Sequence, residues 1–158
     1  MSDLSQLGKK AEAKIKEWLD RPEEGYCFIR LPDQMTGYYG SSNICDFLLY
    51  KRPNFYLIES KATYNDNFPF SMITEFQHDN MIEKSQVNGV KSFVIVLFAT
   101  YQRAFIFDIN DIEAQINSGG PKSLNIKKIE KWKIPFTEIK TIPSKKQLLD
   151  YDKTQQIF

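Results

Sequence analysis

Histidine and arginine are scarce in this chain: one histidine, His78, and arginine only at positions 21, 30, 52 and 103 of 158 residues. Cysteine is limited to Cys27 and Cys45. Neither lies at metal-ligand spacing, so a structural zinc site is not expected. Both fall in strand-like apolar stretches and are read as buried thiols of a reducing compartment, which places the chain in the cytoplasm. No apolar run approaches the roughly 20 residues that span a bilayer. The polar N-terminus lacks a signal-peptide core, so no membrane association is expected. Charge of one sign is not in excess: 21 Lys and Arg against 20 Asp and Glu leave a net +1. That balance neither demands nor excludes a polyanionic partner. Repeats, low-complexity tracts and domain boundaries are also missing, and residues 1–158 are expected to form one domain. What is abundant is apolar and aromatic: 42% hydrophobic residues, with 12 Phe, 8 Tyr and 2 Trp, enough to rule against disorder.

Periodicity orders the chain. Residues 2–19 read as a helix with Ala11, Ile15, Trp18 and Leu19 on one stripe, stopped by the segment containing Pro22 and Gly25. Tyr26–Ile29 is a short strand. Leu31 to Ser42, with Pro32, Gly37, Gly40 and the pair Tyr38-Tyr39, reads as a short protruding loop. Asn43–Tyr50 and Phe55–Ala62 are strands closed into a hairpin by Lys51-Arg52-Pro53-Asn54. Ser71 is the expected N-cap of a helix running to Asn88, ended by Gly89. Ser92–Thr100 is the strongest apolar run and reads as a central strand, followed by a tight turn and a strand over 103–108. A short helix over 111–117, an extended piece over 131–136 and a short helix after Ser144 complete the reading. This order implies an α/β domain with a mixed sheet flanked by helices.

The hairpin carries charges where a strand pair is otherwise apolar. Pairing Tyr50 with Phe55 sets Asp46 opposite Glu59, where like charges repel. Lys61 falls on the same face as Glu59 by the period of two. Glu-x-Lys occurs three times, at Glu12, Glu59 and Glu138, and only the middle copy lies in an apolar strand facing an aspartate. A buried salt bridge of Lys61 with one carboxylate would leave the other acid unexplained. A divalent cation bridging Asp46 and Glu59 removes the repulsion, and oxygen-ligand ions such as Mg²⁺ take one or two carboxylates plus waters and phosphate oxygens. Lys61 would then position a water or stabilise charge on a phosphate. Gln77, on the core-facing stripe of the following helix, is placed to orient a phosphate or the attacking water.

Asp46 followed thirteen residues later by Glu59-Ser60-Lys61 resembles the PD-(D/E)xK nuclease signature. The continuation Phe68-Pro69-Phe70-Ser71 and Ile73-Thr74-Glu75-Phe76-Gln77, running to Met81, is similar to the RecU family of Holliday-junction resolvases. The likeness covers residues 40–107 and rests on the ordered combination. It implies a restriction-endonuclease-like α/β fold and a homodimeric, Mg²⁺- or Mn²⁺-dependent endonuclease that cuts four-way DNA junctions in recombination. By that resemblance Asp46, Glu59 and the Ser60 main-chain carbonyl hold metal, Lys61 is the catalytic lysine and Gln77 the supporting polar residue. Glu12, in a Gly-x-x-x-Glu pattern from Gly8, resembles a further acid near the metal; a solvated helix charge is the rival reading. Ile44 and Cys45 replace the family's threonines and Phe76 its histidine, and 31–42 resembles a reduced version of the family's stalk. Such a compact chain resembles a phage-encoded member.

Scarce arginine favours backbone over base contacts. The candidate DNA contacts are Lys9, Lys10, Lys14, Lys16, Arg30, Tyr38, Tyr39, Lys127 and Lys128, with Lys131 and Lys133 nearby; solvated lysines balanced by acids are the rival reading. Phe93, Phe98, Phe105 and Phe107 are read as core. Two other functions stay open: the same nuclease fold acting on another DNA substrate, and a non-catalytic junction-binding module.

Overall fold

The computed structural model describes residues 2–33 and 42–158, so Tyr38, Tyr39 and most of the expected loop lie outside the described residues. Helix α1 (Asp3–Leu19) starts where the Ser2 side chain accepts the Ser5 N–H, and it buries Leu7, Ala11, Ile15, Trp18 and Leu19. Strands β1 (Tyr26–Arg30), β2 (Phe47–Lys51) and β3 (Asn54–Thr63) follow. Next come β4 (Asn67–Pro69), a 3-10 turn (Phe70–Met72), helix α2 (Glu75–Ser85), and strands β5 (Val90–Phe98) and β6 (Arg103–Asp108). The chain continues through α3 (Ile109–Asn117), β7 (Ser123–Asn125) and a 3-10 stretch over Ile126–Lys131. Three short strands, β8 (Thr137–Ile139), β9 (Thr141–Ile142) and β10 (Asp150–Tyr151), complete it.

Six strands form the main sheet in the order β1-β2-β3-β5-β6-β8. Every neighbouring pair is antiparallel except β3 and β5, whose parallel pairing requires a crossover, and α2 supplies it. Gly89 makes the return into β5 at φ +86°, a left-handed value that favours glycine. α1 covers one face together with Phe47, Leu49, Ile58, Ile95 and Leu97. On the other face Leu57, Val94, Val96, Phe98, Phe105 and Phe107 pack under Met81 of α2 and Ile112 of α3. Each such fully buried side chain is worth roughly 1.5–3 kcal/mol, so the two cores fix β3 and β5 rigidly at the centre. The mixed sheet flanked by helices is the α/β architecture expected of the restriction-endonuclease-like class.

Four local expectations are corrected. Helix α2 starts at Glu75, not after Ser71, because Thr74 and Gln77 form a reciprocal capping box. Residues 131–136 are not a strand; the 3-10 stretch ends at Lys131 and pairing resumes at Thr137. No helix follows Ser144; Asp150–Tyr151 pairs with Thr141–Ile142 instead. Cys27 is exposed on the edge strand β1, whereas Cys45 is buried as expected.

Candidate active site

The β2–β3 ladder has the register read from the sequence, Tyr50 against Phe55, but it stops at Phe47 opposite Ile58. The Asp46 N–H bonds the Ile58 carbonyl, 3.1 Å away, so Asp46 and Phe47 both address one residue of β3, as in a β-bulge. The extra residue lets Asp46 leave the ladder and turn its carboxylate toward β3, where Oδ2 accepts the Ser60 N–H at 2.8 Å. Glu59, 2% exposed, points to the α2 side of the sheet. The charge of each carboxyl group is felt by the other.

Lys61 and Gln77 complete the cluster. Lys61 Nζ is 2.9 Å from Glu59 Oε1. It also donates to Gln77 Oε1 at 3.2 Å. Gln77 Nε2 donates to Glu59 Oε1 at 2.8 Å, and its Oε1 accepts the Thr74 N–H at 3.2 Å. One amide therefore caps α2 and orients both charged groups of β3. The sequence signal for this position was Thr74-x-x-Gln77, a capping-box pattern.

Glu59 Oε1 has two donors, whereas Oε2 is buried without a hydrogen-bond partner. Burial, then the charge of Glu59, pushes Asp46 up to about 8, a rise that the Ser60 N–H only partly offsets. Burial also raises Glu59, with Lys61 and Gln77 acting against the rise. Two dehydrated carboxyls facing each other, one with an orphan oxygen, form a hard-oxygen donor set short of positive charge. Those residues fit a divalent cation of the Mg²⁺ or Mn²⁺ kind. Because the N–H and C=O of one strand residue leave the same edge, the Ser60 carbonyl is turned to the Asp46 side as well.

The remaining expected site residues are dispersed. Glu12 does not join the acids as a third ligand. Its Oε2 accepts from Arg30 Nη2 at 2.6 Å, and among the described residues no group of three His, Cys, Asp or Glu side chains could hold a metal. Glu12 is close enough only for its charge to help raise Asp46. Arg30 is accordingly the partner of Glu12, with Asp33 3.6 Å away. Lys14 is paired with Asp150 at 2.7 Å, Lys16 with Asp20 at 3.2 Å and Lys127 with Asp66 at 3.1 Å. Lys9, Lys10 and Lys128 are exposed and make no ion pair among the described residues. His78 bridges α2 to Glu113 of α3, its Nε2 2.7 Å from Oε2. Phe98, Phe105 and Phe107 are core as read; Phe93 is only partly buried.

Comparison with solved structures finds, among others, Hjc from Archaeoglobus fulgidus, described as a Holliday junction resolvase from an archaeal hyperthermophile. It shares 17% identity at a TM-score of 0.48, over 77% of this chain and 98% of that one. No match is found among curated proteins. The family model described as RecU, recombination protein U, matches residues 27–154, a span that holds Asp46, Glu59, Lys61 and Gln77 and most of the chain. By that match the chain belongs to the recombination protein U family.

Proposed function

We propose that this protein is a metal-dependent endodeoxyribonuclease that resolves four-way DNA junctions in recombination. The observation that carries the reading is the buried Asp46–Glu59 pair with Lys61 2.9 Å from Glu59 and an unsatisfied Glu59 Oε2. A binding module gains nothing from opposed carboxylates beside DNA phosphates, and an isolated buried acid pair costs stability. Membership of the recombination protein U family supports the junction as substrate. All of residues 1–158 are read as one nuclease unit, since both cores share one sheet.

In this reading Asp46, Glu59 and the Ser60 carbonyl hold Mg²⁺ or Mn²⁺. When bound, such a cation supplies charge stabilisation at a phosphate and an acidified water. The Lys61 ammonium, fixed between Glu59 and Gln77, stabilises the negative charge that grows on the phosphoryl oxygens as water attacks phosphorus and the ester oxygen departs. Gln77 keeps Glu59 Oε1 occupied, which leaves Oε2 as the oxygen that would hold a cation. Lys9, Lys10 and Lys128 are the first candidates for phosphate contacts, and Lys14, Lys16 and Lys127 would have to exchange acidic partners for phosphates. The test is Mg²⁺-dependent cleavage of a synthetic mobile four-way junction beside matched linear duplex. Equal cutting of both would end the junction assignment, and no cutting of either would end the nuclease assignment. Replacing Gln77 by alanine should lower the cleavage rate about 10- to 100-fold, as loss of an orienting neighbour does at metal sites. Its capping loss should cost about 1 kcal/mol in denaturant unfolding, and an unchanged rate would remove Gln77 from the site.

A second copy of the chain is the expected partner, because two opposed strands must be cut. A stepped apolar surface supports this. On the α2 side of the sheet, Cys27 faces Tyr50 and Ile29 faces Leu48, and among the described residues no helix covers β1 and β2 there. Ile29 is 48% and Tyr50 39% exposed. Phe76, 46% exposed, lies about 200° round α2 from His78, which touches α3, so it is on the flank of α2 away from α3, and Val87 beyond the helix end is 59% exposed. Each copy thus offers a ridge and a floor, as a two-fold contact requires. The double change Ile29→Glu and Val87→Glu should convert the dimer to monomer in light scattering. A bifunctional maleimide should join two wild-type copies through Cys27; a monomeric wild type would end this reading.

A further inference from the structure

The loop that follows the catalytic strand is tied down at every residue yet presents a large ring to solvent. Thr100 Oγ1 donates to the Tyr64 carbonyl at 2.8 Å, the Asn65 N–H donates to Thr63 Oγ1 at 3.0 Å, and the Ile126 N–H donates to the Asp66 carbonyl at 2.9 Å. The Asp66 carboxylate accepts from Tyr101 Oη at 2.5 Å and from Lys127 Nζ at 3.1 Å. Tyr64 is nevertheless 51% exposed, and among the described residues its hydroxyl makes no hydrogen bond. A loop this constrained has no packing need for an exposed aromatic, and a polar residue would serve the turn equally well.

Position gives the ring a use. Tyr64 follows Lys61 by three residues, so the two Cα atoms are at most about 11 Å apart. That distance corresponds to one or two nucleotides of a DNA strand seated on Lys61. From the 3-10 stretch that the loop is bonded to, Lys127, 65% exposed, reaches Asp66, two residues from Tyr64, and offers a phosphate contact there. Tyrosine supplies broad contact area at little entropic cost, and a rigid backbone lowers that cost further. Resting on the nuclease reading above, we propose that Tyr64 is a substrate-positioning residue that stacks on an unpaired nucleobase next to the scissile phosphate, with Lys127 contacting the adjacent phosphate. The site would hold the cut strand at the branch, where bases leave the duplex stack, and would recognise the π-face without preference for sequence.

Three variants test this on the full-length protein with Mg²⁺ and a four-way junction. Tyr64→Leu should raise KM about tenfold, the usual scale for loss of one base stack, with little change in kcat. Tyr64→Phe and Tyr64→Trp should stay near wild type. A 2-aminopurine placed one or two nucleotides from the cut should be dimmer in complex with wild type and Tyr64→Phe than with Tyr64→Leu. The inference is overturned if Tyr64→Leu keeps the wild-type KM, if Tyr64→Phe is as impaired as Tyr64→Leu, or if the 2-aminopurine signal is the same in all complexes. These outcomes are read against a wild type that cuts junctions; a wild type inert on every DNA overturns the nuclease reading itself.

Discussion

Asp46→Asn should lower junction cleavage by at least about a thousandfold, because the charge stabilisation a bound metal gives a phosphate is worth several kcal/mol. Glu59→Gln should be equally inactive. The two variants should part company in stability. Asparagine at 46 keeps an oxygen for the Ser60 N–H and leaves the Glu59–Lys61 pair intact, so the metal-free variant should melt with the parent near pH 6. Glutamine at 59 strips Lys61 of its buried counter-charge, and loss of one partner in a buried pair costs about 3–5 kcal/mol. Calorimetry with a chelator separates the two, and cleavage assays on the same samples give the rates. Normal cutting by either variant would show that the roles are misassigned. Equal melting of both variants would mean that Lys61 depends little on Glu59.

The second large effect is the response of the metal-free protein to pH. Asp46 titrates near 8 in the folded chain, against about 3.9 for an unperturbed aspartate, and Glu59 is raised as well. The folded state therefore binds more protons than the unfolded state across that interval. The stability linked to Asp46 is complete below pH ~4 and is lost as pH rises through about 8. In chelator, the wild-type melting temperature should fall relative to Asp46→Asn from pH 6 to 9. Added Mg²⁺ should reverse the fall, bind more tightly as pH rises over that range and release protons on binding. Titration calorimetry in buffers of different ionisation enthalpy measures that release. Parallel melting curves for wild type and Asp46→Asn over the range would remove the basis for this expectation.

Much of the molecule was legible because its determinants are local. The hairpin register followed from a four-residue polar link between aromatic strands, and β6 from a short apolar run set off by a tight turn. The candidate site was readable because charges in an apolar strand need a reason. What escaped detection depended on choices between near-equivalent local signals. Ser71 and Thr74 are both competent caps, and only the reciprocal bond with Gln77 selects Thr74. Cys27 belongs to a strand like any other, and its exposure arises because β1 is the sheet edge and, among the described residues, no helix lies over it. The partners of Arg30, Lys14 and Lys127 are 18, 136 and 61 residues away, beyond any window of sequence pattern.

The capping of α2 also limits what selection can do at position 77. Glutamate there could still accept the Thr74 amide proton, but it has nothing to donate to Glu59 and would bring a third carboxylate to the pair. Asparagine has the right groups on a stem one carbon too short to reach both strand and helix end. In a randomised library screened for cutting, clones at full rate should retain Gln77, and survivors with other residues there should show a frayed helix start together with a slow reaction. Tuning the rate without loosening the helix would need a change elsewhere.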